Sequence, residues 1–134
     1  MHEYVTDTHS LLWYIFGNER LSKKAAEIFV KTDEGEARIQ IPGIVLVEIV
    51  YLMEKSKLPQ LAIDTVIDLF DSSPENYNLC QVTVSTIRAL QSIPREQIPD
   101  MPDRIIAATA LELDLPLISK DKMITNAGMI EVIW

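Results

Sequence analysis

Hydrophobic positions along the chain alternate between a strand-like and a helix-like period. Glu3–Asp7, EYVTD, reads as a first strand ending on an acid. Thr8 then caps a helix whose apolar face is Leu11, Leu12 and Ile15 and which Gly17-Asn18 closes. Ser22 caps a second helix, SKKAAEIFVKTDEG, with Ala25, Ile28 and Phe29 on one side and Gly35 as its stop. Ala37–Ile41 alternates polar and apolar, as a short strand does. After Pro42-Gly43 comes IVLVEIVYLM, rich in β-branched residues yet too long for a typical core strand. It therefore reads as a buried helix from about Ile44 to Ser56. Pro59 opens a further helix with Leu61, Val66, Leu69 and Phe70 near helical spacing. Tyr77–Val82 is a third strand, and Thr83 caps a short helix ending around Pro94. The stretch Ile98–Ile124 supplies an acid-opened helix, a turn at Asp114-Leu115-Pro116 and a fourth strand at Leu117-Ile118. Glu131–Trp134 is a fifth.

Strands alternating with helices predict a three-layer α/β/α sandwich around a mainly parallel sheet of about five strands. At 134 residues, without repeats or linkers, the chain is expected to be a single domain, 1–134. Its 48% hydrophobic and 24% charged residues are those of an ordinary globular protein. No apolar run approaches the ~20 residues of a membrane span, and MHEYVTDTHS is no secretory leader, so the expected location is the cytoplasm. A lone cysteine, Cys80, agrees with a reducing compartment and reads as core.

The formal charge of −8, from 12 basic and 20 acidic residues, argues against a binder that meets nucleic acid with a basic surface. A nuclease stays compatible with that charge where carboxylates hold the cations that face the phosphates. The placement of the acids therefore matters. Asp7 ends the first strand, where a plain turn acid at a helix N-terminus is the simplest account. Glu48 is the only charged residue in the run Ile44–Leu52, and glutamate is rarely buried unless paired or bound to a cation. An ion pair, with Arg104 for example, or a snorkelling side chain is its bland alternative. Asp100-Met101-Pro102-Asp103 fits a helix cap with proline in the first turn, and Asp121 fits a cap for a short Lys122–Thr125 turn.

Each acid alone has an ordinary explanation; together they do not. In a parallel sheet, Asp7 and Asp121 lie at strand carboxyl ends, and Asp100 and Asp103 begin the helix leading to the fourth strand. Two carboxylates ~5 Å apart repel by roughly 3 kcal/mol at an effective dielectric of about 20. Such a cluster must bind cations, take up protons or lean on Arg and Lys. All-oxygen donors select Mg²⁺ or Mn²⁺ over zinc, and His2 and His9 read as non-ligands.

These residues, in this order, resemble the PIN domain, and in particular its small single-domain toxins of the VapC type. YVTDTHSLLWYI is similar to the family's first strand and helix, with its Asp at Asp7. VLVEIVYL resembles the helix that carries the family's glutamate, here Glu48. PDMPDRIIAATALELDLPLISKD resembles its most specific segment, with a metal-site acid at Asp103 and an alcohol-x-Asp ending at Ser119 and Asp121. Serine stands at 119 where threonine is commoner. Asp100 matches an acid often found three residues before Asp103 and is a candidate ligand as well as a cap. The terminal EVIW is also similar.

The resemblance implies an endoribonuclease in which Asp7, Glu48, Asp103 and Asp121 hold one or two Mg²⁺ or Mn²⁺ ions. It implies the toxin of a type II toxin–antitoxin pair, a homodimer, and a small antitoxin that blocks the acidic pocket. Arg104 or Lys120 would contact a phosphate or simply be solvated, and Lys55 and Lys57 would line a dimer groove for RNA or, equally, form a charge pair at a helix C-terminus. The competing readings are a solitary nuclease of RNA processing, a receiver-like phosphoacceptor and a non-catalytic interaction module. The receiver reading is the weakest, because the first strand ends in one acid and no Asp follows the third.

Overall fold

A computed structural model describes residues 1–134. Five strands are interleaved with seven helices: β1 His2–Thr6, α1 Thr8–Ile15, α2 Lys23–Asp33, β2 Ala37–Pro42, α3 Gly43–Glu54, α4 Ala62–Ser72, β3 Tyr77–Cys80, α5 Val84–Ser92, α6 Met101–Leu113, β4 Leu117–Ile118, α7 Lys122–Ala127 and β5 Val132–Ile133. The sheet is wholly parallel in the order β3-β2-β1-β4-β5, flanked by the helices as an α/β/α sandwich. From β1 the chain steps outward through β2 to β3, then returns to β1's other side as β4 and β5. The strand order thus reverses between β1 and β4, and open α/β sheets bind ligands at that crevice, beyond the strand carboxyl ends.

Val5, Ile39, Ile41, Leu117 and Ile118 are wholly buried in the sheet, and Leu11, Phe29, Ile49 and Ile106 cover it from the helices. β4 has only two residues, yet both are inaccessible because it lies between β1 and β5. The β-branched run after Gly43 is a helix. Its inward residues Val45 and Ile49 are buried, while Val47, Val50 and Tyr51 remain 49%, 38% and 60% exposed. That outward apolar stripe is unusual for a surface helix, whose outer face is normally polar.

Several boundaries differ from the sequence expectation. Asp7, not Thr8, caps α1, because the Thr8 hydroxyl is engaged elsewhere. Pro59 does not open α4: a turn closed by the Ala62 N–H on the Pro59 carbonyl precedes it, and the helix begins after Leu61 without a side-chain cap. β3 ends at Cys80 rather than Val82, and Cys80 is only partly buried, since β3 is an outer strand. Ser22 and Thr83 cap α2 and α5 as expected, the latter in a reciprocal pair with Thr86. No helix is long and apolar enough to cross a membrane.

Candidate metal centre

The sheet delivers two acids to the β1–β4 crevice. Asp7 follows β1 directly. Its N–H donates to the Ile118 carbonyl, and its Oδ1 accepts the Ser10 N–H at 2.9 Å, so the side chain is fixed by the helix it starts. Asp121 follows β4 through Ser119. The Asp121 N–H donates to Ser119 Oγ at 3.0 Å, and its own Oδ1 accepts the Ile124 N–H at 2.9 Å, capping α7. Ser119 is itself 1% exposed, so its hydroxyl is locked against the sheet edge.

The helices bring three more. Asp100 is the exposed N-cap of α6, accepting the Asp103 N–H at 3.0 Å, and Asp103 sits in the first turn behind Pro102. Glu48 comes from mid-α3. Thr8 Oγ1 donates to Glu48 Oε1 at 2.5 Å, tying this carboxylate to the residue next to Asp7. Arg104 is not its partner, because the guanidinium donates instead to the Leu90 and Ile93 carbonyls and secures the end of α5.

Asp7, Glu48, Asp100, Asp103 and Asp121 thus line a single cleft of about 390 Å³, with His9, Trp13 and Lys120 completing it. Lys120 is its only lysine or arginine. His9 and Trp13 were not legible as site residues from sequence. Their positions, two and six residues past Asp7 on one short helix, are the signal that would have found them.

This crowding leaves an electrostatic mark. Burial raises the Asp7 carboxyl above its ordinary range, and the Ser10 and Ser119 hydroxyls pull it partly back. Burial also raises Glu48, opposed by Thr8 and aided by the charges of Asp100 and Asp7. Asp103 is pushed up to about 7, by burial first and then by Asp100, Asp121, Glu48 and Asp7. A folded-state value above the unfolded one means that the native chain binds more protons between the two, so stability falls as pH rises through that window. Without divalent ions the chain is therefore expected to melt several degrees lower at pH 8 than at pH 5.5, measured in EDTA. A flat profile would mean that neither burial nor their neighbours hold these carboxyls above the ordinary range.

No group of three or more acidic, histidine or cysteine side chains is drawn tightly enough to enclose an ion directly. The donors nevertheless fit a hard cation: five carboxylates, no sulfur ligand, and room for water. Mg²⁺ in particular dehydrates reluctantly and is commonly held by one or two carboxylates plus waters.

Comparison with known proteins agrees with this architecture. The chain is 27% identical over 126 residues to Ribonuclease VapC22 of Mycobacterium tuberculosis (strain ATCC 25618 / H37Rv), spanning 94% of this chain and 92% of that protein. Its fold matches the crystal structure of VapBC2 from Rickettsia felis bound to a DNA fragment from their promoter, with TM-score 0.71 at 16% identity, covering 98% of this chain and 97% of the other. It also matches DNA-bound VapBC from Salmonella typhimurium, with TM-score 0.62 at 18% identity, covering 99% and 98%. The PIN domain family model matches residues 4–128, from β1 to the end of α7. With the family's model spanning four of the five strands and every acid of the cleft, the chain belongs to the PIN domain family.

Proposed function

We propose that the protein is a divalent-metal-dependent endoribonuclease and the toxin of a type II toxin–antitoxin pair. The observation that carries this is the convergence of five carboxylates at the β1–β4 crevice with Lys120 as the only lysine or arginine among them. The ribonuclease name of the relative, alike over nearly the full length of both chains, supports the choice of RNA.

Asp7, Glu48, Asp103 and Asp121 would hold one or two Mg²⁺ or Mn²⁺ ions, with Asp100 at the rim as a further ligand. A bound divalent ion there supplies water activation near neutral pH and charge stabilisation at the scissile phosphate. The chain's own contribution is placement. Ser119 and the Ser10 N–H set Asp7 and Asp121, Thr8 sets Glu48, and Lys120, which lines the cleft, would meet a phosphate oxygen. No side-chain nucleophile is required. A small protein antitoxin would silence the site by inserting an Arg or Lys among the carboxylates, replacing the ion's charge. The exposed stripe Val47, Val50 and Tyr51 on α3 supports a homodimer.

Total RNA incubated with the purified protein is expected to break into fragments with Mg²⁺ or Mn²⁺ and to stay intact in EDTA. Undiminished cleavage in EDTA would sink the metal's role, and intact RNA with either ion would sink the ribonuclease.

A further inference from the structure

Next to the acidic cleft, and sharing His9 and Trp13 with it, lies a second groove of about 370 Å³. Its character is opposite. Trp13, Phe16 and Leu58 give it apolar surface, and its rim carries Arg20 and Lys57, both exposed. Building on the ribonuclease reading, we propose that this groove is a nucleotide subsite. It takes the base and phosphate of a single-stranded RNA residue flanking the scissile bond, the base against Trp13 and Phe16 and the phosphate on Arg20 and Lys57.

Three observations favour that occupant. The first is continuity: RNA with a phosphate in the acidic cleft must leave along one of its walls, and the His9–Trp13 wall opens into this groove. The second is charge complementarity. In a chain of net charge −8, the mouth of a carboxylate cluster repels a polyanion, and Arg20 and Lys57 place compensating charge in the adjoining groove. The third is rigidity. Trp13 is braced by Trp134 edge-on at 5.8 Å, by His9 at 5.8 Å and by Lys120 Nζ at 5.9 Å from its ring centroid. A ring already held loses little freedom when a base stacks on it, and base–aromatic stacking tolerates any sequence. A purely apolar peptide would leave the two cations at the rim without a role.

The test uses two readouts. In an Asp7→Asn chain with Mg²⁺, binding of a labelled single-stranded RNA of about ten nucleotides is followed by anisotropy across a salt series. The exposed pair Arg20→Ala/Lys57→Ala should weaken binding about tenfold and flatten the dependence of log affinity on log salt by about two contacts. Trp13→Leu should weaken it by about tenfold or more, while Trp13→Phe, which keeps a stacking face, should retain most of it. In the cleaving chain, Arg20→Ala/Lys57→Ala should raise KM about tenfold with little change in kcat. Unchanged affinity, salt slope and KM in that pair would overturn the subsite and leave the groove to a protein partner. The two readings fail separately. Asp7-dependent cleavage with binding indifferent to Arg20, Lys57 and Trp13 removes only the subsite. Absent cleavage with binding that needs them removes only the catalysis.

Discussion

Asp7→Asn is expected to lower RNA cleavage by more than about 100-fold while the protein stays folded. Losing an outer-shell partner of a metal ligand already reduces activity or affinity by roughly 10–100-fold, and Asp7 is proposed to be a ligand itself. The fold should survive because asparagine caps helices about as well as aspartate. The amide oxygen of the substituted side chain can still accept the Ser10 N–H that Asp7 Oδ1 now accepts at 2.9 Å. Removing a carboxylate that burial already disfavours should leave the melting temperature in EDTA unchanged or raise it. Alanine would be the wrong probe, since it would also remove the cap. Cleavage at the parent rate by a variant with a normal melting curve would dismiss Asp7 from the site.

Saturating Mn²⁺ is expected to raise the melting temperature of the parent chain by on the order of 8–14 °C. An ion at 100 times its dissociation constant adds about 2.7 kcal/mol, and a domain of this size gains roughly 3–5 °C per kcal/mol. The effect should be larger at pH 8 than at pH 5.5, because protons compete for Asp103 below about 7. It should shrink in Asp7→Asn. A shift below about one degree at pH 8 would indicate that the acids are helix caps and nothing more.

Most of the fold could be anticipated from hydrophobic period and punctuation. The difficult segment was the one after Gly43, where composition favoured a strand. Length decided correctly for the helix α3, because a strand of that many apolar residues would have run past the sheet. What failed was local chemistry overridden by distant contacts. Thr8 has the side chain of a cap, but its hydroxyl goes to Glu48, forty residues away, and Asp7 takes the capping role. Arg104 stands beside Asp103 in sequence, yet it points back to the carbonyls ending α5. Neither redirection has a sequence signature.

The site divides in the same way. The acids were legible because charge in apolar runs and at strand ends is conspicuous. His9 and Trp13 were not, since an exposed histidine and a partly buried tryptophan on an amphipathic helix look like ordinary surface and packing. Lys120 came into view only as one of two alternatives, and its place in the cleft depends on how β4 sits beside β1.

Three of the five acids each accept an amide from three residues further along, and such a bond can form as soon as its own turn does. Their mutual antagonism arises only when β1 comes into register with β4 and α3 closes over the edge. The electrical opposition to folding is therefore concentrated in that long-range closure and is absent from the local turns. Protons that neutralise these carboxyls, Asp103 foremost, ease that closure as the surroundings become more acidic.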